Sequence, residues 1–466
     1  MRKSTYWKIR HGNLFYGIML VLFALCFASC KDDEDQEGTF DPNKPIVITD
    51  FTPKKGGYGS NLILFGDNFG NDLSKVKVTI GGKNARVITV KNRSLYCVIP
   101  EKAYDGNVEL SIVDENGEVL AGCEAEGVFE YEKKWLVSTF LGTRYEVSTD
   151  FEEKEGPFDD CGGFSDITWL SFDPKSNFDK LYFCAHTQKN RLIDFAANDG
   201  KGYVYDFITP DLERVFSIQW TSDENKDMVL TDDTSNNSNR SGAYLVSRSS
   251  NFTTFIGLFN YISTNGSMIH PINGEYYCTG YYASDVNRYD FETKQLTYAF
   301  QNPRSKAVVR MFPHPSGKFA YLMQYNNHYI ARTDYDEEKK CFMAPYLICG
   351  QESSAGWIDG VGTKAKLNKP TQGVFVKNPA YAGEEDEYDF YFCDEANHCV
   401  RVMNPQGRIE TFAGRGNNGT SGYANGDLRT EARFNNPRAI AYDEKRNCFY
   451  VGDAGNKVIR KIAKEE

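Results

Sequence analysis

Apolar and polar residues alternate in short runs along most of this chain, and the runs are broken by Gly, Asn, Asp and Pro. That is the pattern of half-buried strands joined by tight turns. Near the C-terminus the pattern repeats itself. Residues 356–371 and 422–438 share Gly, an aromatic residue, Asp or Asn, Gly, and then Asn-x-Pro, with one residue added in the second copy. An aromatic strand closing on Asp follows each, and then a basic strand: Phe390 to Asp394 with Asn397 to Arg401, and Phe449 to Asp453 with Asn456 to Arg460. Strand-rich self-similarity at a period of tens of residues predicts a β-propeller.

Strand rhythm places four more blades upstream, with first strands at 167–172, 215–220, 268–271 and 308–312. Met268, Gly274, Tyr276 and Tyr282 fall opposite Met311, Gly317, Phe319 and Tyr325 at a constant offset of 43. The first C-terminal copy runs on into a fourth strand, Arg408 to Gly414, whereas the second stops after Lys461 to Glu466. Trp135 to Gly142 is close in kind to Ile409 to Gly414 and is expected to complete the last blade. The result is a six-bladed ring over 134–466, and its closure hides two strand edges. The two copies resemble the NHL repeat family, whose blades carry a Gly/Asp-rich loop, Asn-x-Pro before the first strand, a second strand ending in Asp, and an Asn-x-x-Ile/Val-Arg third strand.

Ahead of the ring, residues 45–131 alternate apolar strands with Gly and Asn breaks, the mark of a small β-sandwich. Phe51-Thr-Pro-Lys-Lys-Gly56, followed by Gly66-Asp-Asn-Phe-Gly70, resembles the IPT/TIG family of immunoglobulin-like domains. The expected fold class is therefore all-β.

Arg2, Lys3, Lys8 and Arg10 precede an apolar run from Leu14 to Phe27, and Ala28-Ser29-Cys30 follows. This reads as a secretory signal over 1–29 with a lipobox that lipidates Cys30. The run is shorter than the ~20 residues a spanning helix needs. Residues 30–44 read as an acidic, flexible tether, and Lys-Asp-Asp-Glu-Asp after Cys30 resembles the export signal of Bacteroidetes surface lipoproteins. The expected place is the outer membrane, lipid-anchored and facing the exterior. Lipid, tether, sandwich and propeller in that order resemble the surface lipoproteins of bacterial glycan-uptake systems. That resemblance implies a glycan ligand, a transporter and companion glycan-binding lipoproteins as partners.

Loss of 1–29 moves the net charge from −11 to about −15. Nucleic acid is excluded as a ligand, because backbone binding needs clustered Lys and Arg. The overall charge leaves neutral polymers as the natural partners. The 29 Tyr and 32 Phe offer flat faces on which sugar rings stack. Of the 12 cysteines, Cys26 and Cys30 belong to the leader and anchor, and Cys184, Cys278 and Cys393 read as buried strand thiols. Cys97 with Cys123, or Cys341 with Cys349, are the pairings left open.

The Asp-x-x-Asn pairs (Asp394 with Asn397, Asp453 with Asn456) are expected to tie their turns. In other blades the corresponding turns hold His186; Tyr281, Tyr282 and Asp285; and Tyr325, Asn326 and His328. Those residues are candidates for stacking on a pyranose and bonding its hydroxyls. Trp357 and Tyr423 take equivalent places in the Gly/Asp loops, either as sugar platforms or as loop anchors. If the protein is an enzyme, a hydrolase, lyase or lactonase, His270 and His314 with Arg310 and Asp285 are the candidates near the channel mouth. No cofactor is assigned. The run Asp232 to Asn239 is rich in oxygen ligands that suit calcium, but it lacks the spacing of a calcium loop and reads as a mobile loop. Glycan capture is the leading reading; turnover on the same face and a protein-docking platform are the alternatives.

Overall fold

The structure, a computed structural model, describes residues 38–465 apart from 144–152, 187–188, 210–211, 235–239, 261–262, 283, 305 and 415–419. The leader, Cys30 and most of the 232–239 run lie outside the described residues. The chain divides into two compact units, one ending at Lys134 and the other running from Trp135 to Glu465.

In the first unit seven strands hydrogen-bond in the order Val47–Thr52, Asn61–Asp67, Ser94–Val98, Lys83–Lys91, Val76–Ile80, Val108–Val113 and Val119–Glu124. Alternation sends Leu62, Leu64, Val78, Ile80, Leu95, Cys97, Val108 and Leu110 inward around Phe51, Phe69 and Phe129. The intervening polar residues stay outside.

The second unit is a ring of six antiparallel blades among the described residues. Their innermost strands are Ile167–Phe172, Val215–Trp220, Thr264–Ile269, Val309–Pro313, Pro370–Lys377 and Pro437–Asp443. The second strands end at Ala185, Asp232, Gly280, Gln324, Asp394 and Asp453. Trp135–Leu141 pairs with Val458–Lys464 as the fourth strand of the last blade, with Leu136 opposite Ala463 and Val137 opposite Ile462. The ring is thus closed by joining its two ends.

One innermost strand differs from expectation. The third begins at Thr264 and ends at Ile269, where the sequence suggested 268–271. Thr264, Asn265 and Ser267 are buried although polar, so hydropathy does not mark them as strand. The offset between blades three and four is also corrected: Gly280 and Gln324 end equivalent strands 44 residues apart, so Tyr281, not Tyr282, matches Tyr325.

The Asp-x-x-Asn ties extend to the Arg of the third strand. Asp394 Oδ1 accepts from the Asn368 amide at 2.7 Å, and Oδ2 accepts from Asn397 Nδ2 at 2.7 Å and Arg401 Nη1 at 3.0 Å. Asp453, Asn435, Asn456 and Arg460 repeat the arrangement in the last blade. Both ion pairs are fully buried. All ten described cysteines are unpaired, Cys97, Cys123, Cys341 and Cys349 among them.

Candidate functional site

First strands begin, and second strands end, at the same mouth of the central channel. The residue that follows each second strand occupies one position per blade: His186, Asp233, Tyr281, Tyr325, Glu395 and Ala454. A second set comes from the start of the innermost strands. Five of these six have a register shift there, around Thr168, Phe216, Asn265, Thr371 and Arg438; the fourth blade has none, and its strand places Arg310 one residue in from its start. A bulge re-aims the side chain it carries and often sits beside a site.

These two sets meet. His186 stands between Asp233, 3.5 Å from Nε2, and Asp166, 3.8 Å from Nδ1. Asp166 accepts from Arg438 Nη1 at 3.0 Å, and Arg438 Nε donates to Glu395 at 3.0 Å. Burial, and after it the Glu395 carboxylate, hold the Tyr325 phenol well above its ordinary range. Arg310 donates to the Phe216 carbonyl at 2.8 Å and lies over the Phe216 ring at 3.7 Å. Burial, with Arg438 as a secondary cause, pushes the Arg310 guanidinium down to about 9. For Arg438 burial lowers the pKa, but Glu395 and the other acids outweigh it and leave the group raised. The result is a belt of donors and acceptors contributed by all blades but the third, in which most side chains are partly exposed. Tyr281 and the exposed Tyr282 of the third blade form an edge-to-face pair at 5.1 Å. Such a mouth can hydrogen-bond a polyhydroxylated ligand and offer it an aromatic face.

Below the belt the channel is closed. Trp169 of the first blade stacks on Phe312 of the fourth at 5.4 Å and 6°. Gln372 of the fifth blade bonds Leu170 of the first and Ile440 of the sixth. A cavity of about 250 Å³ at the opposite mouth is lined by Trp169, Phe312, Pro313 and Phe375 among others.

Several sequence candidates lie elsewhere. His270 and His314 follow the ends of innermost strands, so they sit at the opposite mouth from Arg310 and Asp285. Their Nδ1 atoms accept backbone amides of their own turns, from Ile272 and Asn273 and from Ser316. His270 packs on Tyr335, and His314 stacks on Phe319 and bonds Asp386 at 3.1 Å. Trp357 is also away from the belt. Its Nε1 donates to Thr411 at 2.9 Å on the fourth strand of blade five. Tyr423 makes the matching contact with Thr139 at 2.5 Å, and Arg460 lies over its ring. The two residues anchor equivalent loops. His328 accepts the Lys369 amide at 3.1 Å and so clips blade four to blade five. Asn326 and Asp285 are exposed beside the mouth.

Glu395, Arg438, Asp166 and Asp233 escaped the sequence reading. The signal that finds Glu395 and Asp233 is the column directly after each second strand, one residue beyond a buried Asp; Asp166 and Arg438 flank the start of innermost strands and carry no such mark. Among the described residues no three His, Cys, Asp or Glu are grouped to hold a metal.

Residues 45–131 match the IPT/TIG domain family. The whole described architecture recurs in a crystal structure of an auxiliary nutrient binding protein from Bacteroides thetaiotaomicron, 50% identical, with a TM-score of 0.85, covering 92% of this chain and 100% of that one. The chain belongs to the same family as that protein. Another member, an auxiliary nutrient binding protein from Bacteroides ovatus, is 45% identical with a TM-score of 0.72, and again 92% of this chain and 100% of that one align. The family also takes in a Bacteroides thetaiotaomicron protein described as a candidate phosphatase, 37% identical with a TM-score of 0.83, over 92% and 99% of the two chains. Human NHL repeat-containing protein 2 is 32% identical over 108 residues, 22% of this chain. This chain matches only 13% of the length of that curated relative. This chain thus carries an IPT/TIG domain and NHL-type repeats.

Proposed function

We propose that this is a cell-surface nutrient-binding lipoprotein, anchored through Cys30, whose propeller captures an extracellular glycan at the channel mouth for an uptake system with an outer-membrane transporter. The observation that carries the reading is the belt from Asp233 through His186, Asp166, Arg438 and Glu395 to Tyr325, drawn from five blades and left partly open. Support also comes from the nutrient binding that two close family members are described by. Preformed sites with a few convergent polar groups are where small ligands bind. The test uses the mature chain and a panel of plant, microbial and host polysaccharides, read by affinity electrophoresis and by product chromatography from the same tubes. Retardation without products, lost on Glu395→Gln, is the expected result; no retardation by any polymer would overturn it.

A second reading is turnover on the same face, and the observation that favours it is His186 held between two carboxylates, the setting of a general base. Shortened polymer or new unsaturated ends in the same tubes, abolished by His186→Gln, would establish it.

A further inference from the structure

We infer that the channel mouth is built for an acidic sugar and that Arg310 receives its oxyanion; the inference rests on the glycan-capture reading above and names the ligand class. Four cations stand at this mouth, and two are already matched. Arg438 is paired with Asp166 and Glu395, and Arg214 lies 3.9 Å from Asp233. Among the described residues Arg310 and Lys369 form no ion pair, and Lys369 lies 5.5 Å over the Tyr325 ring.

Arg310 is only 6% exposed, and its Nε is buried without any hydrogen-bond partner. Burying an unmatched guanidinium is expensive, and a protein keeps one where a partner arrives. The neighbouring blade presents a second such atom. Asn265, at the bulge of the third blade's innermost strand and 2% exposed, has an unpartnered Oδ1. A cationic donor and a neutral acceptor, orphaned near the same end of two adjacent innermost strands, match an oxyanion and a hydroxyl on one sugar ring. The contact with Phe216 engages Nη1 and the face of the guanidinium, so the fork that carboxylate and sulfate both accept would be supplied by the remaining N–H groups, the unpartnered Nε among them. An unpaired Arg310 at the mouth replaces the neutral polymer suggested by the overall charge with an acidic one.

Calorimetric titration of the mature chain with oligogalacturonate, a sulfated galacto-oligosaccharide and the neutral galacto-oligosaccharide tests this. Binding of at least one acidic oligomer, at least tenfold tighter than the neutral one and reduced at least tenfold in Arg310→Gln, is the expected result; which acid binds identifies the oxyanion. Arg310→Lys keeps the charge and loses the fork, and an intermediate loss is expected. That variant decides the matter if Arg310→Gln does not fold. Equal binding of acidic and neutral oligomers, or binding unchanged in the variants, overturns the inference and leaves glycan capture standing. Binding of no oligomer, with no polysaccharide retarded in the panel, removes both.

Discussion

Asp453→Ala tests what holds the ring shut. Asp453 and Arg460 are both fully buried, and Asp453 accepts from the Asn435 amide at 2.7 Å, Asn456 Nδ2 at 2.8 Å and Arg460 Nη1 at 3.0 Å. Arg460 in turn donates to the carbonyls of Arg433 and Ala424 and to Asn425, and its Nε reaches Ser138 on the closing strand at 3.4 Å. Removing the carboxylate leaves an uncompensated guanidinium in the core, which costs about 3–5 kcal/mol. A unit of some 330 residues has an unfolding entropy of about 0.7 kcal/mol per kelvin, so the propeller transition should drop by about 4–7 °C. Calorimetry reads that drop, and amide exchange locates it. Residues 135–141 should lose protection in Asp453→Ala, because no covalent link ties that strand to its neighbour. Asp394→Ala makes the same loss in the continuous fifth blade and should leave 135–141 protected. A drop below about 1 °C, or equal exchange at 135–141 in both variants, would refute the reasoning.

Trp357→Ala should leave glycan affinity within twofold while lowering stability by about 3 kcal/mol or less, as truncation of a half-buried aromatic does; affinity electrophoresis and melting separate the two. Arg438→Ala should weaken glycan binding at least tenfold in the same titration, since it breaks the belt between Asp166 and Glu395; unchanged affinity would place the site elsewhere. Trp169→Ala should cost about 3–5 kcal/mol by removing one half of the stack that closes the channel, read by urea denaturation. Acid should destabilise the propeller through His270, His314, His328 and His398, all held below the ordinary value by burial and all accepting backbone amides at Nδ1. Their folded pKa lies under the unfolded ~6.5, so the unfolded chain binds more protons and stability is lost as pH falls below about 6.5. Asp394 and Asp453, pushed up by burial to about 6, act with the opposite sign. The decisive comparison is therefore wild type against His328→Asn and His398→Asn, which should melt with a flatter pH dependence between 7.5 and 5.5.

Strand order, ring closure and blade count were legible because they rest on hydrophobic alternation and on two near-identical repeats. The third blade's first strand was not, because Thr264, Asn265 and Ser267 are buried yet polar, Ser267 against Ser217 and Thr231 of the second blade, and carry no apolar signal. The candidate site was half legible for a related reason. His186, Tyr281 and Tyr325 stood out as aromatic departures from the Asp-x-x-Asn turn, whereas Glu395 looks like an ordinary turn residue between Asp394 and Asn397. Trp357 had two readings, sugar platform and loop anchor, because a polar, Gly-rich loop suggests an exposed ring; the fourth strand of its blade, brought beneath it only by folding, supplies Thr411 as an anchoring partner. His270 and His314 were drawn to the wrong mouth because strand direction, not spacing, decides which end of the channel a residue reaches.

The tying residues and the belt are one device. Asp394 is fully buried and fixed by three donors, and Glu395 is the next residue along the chain, so its carboxylate inherits a turn that cannot relax. Asp232 plays the same part for Asp233, accepting the amides of Glu213 and Arg214 at 3.0 and 2.8 Å. A ligand then meets side chains already ordered, and the entropy of fixing them is spent in folding and not in binding. In blade six the following residue is Ala454, which has nothing to position, and there the same tie serves ring closure through Arg460. Relaxing the tie should therefore act on affinity from a distance. Asn397→Ala removes the Nδ2 bonds to Asp394 and to the Gly356 carbonyl without touching the belt, and it should weaken glycan binding through a faster off-rate while the on-rate holds. Surface plasmon resonance separates the rates, and an unchanged off-rate would mean that the belt is positioned by its own ion pairs alone.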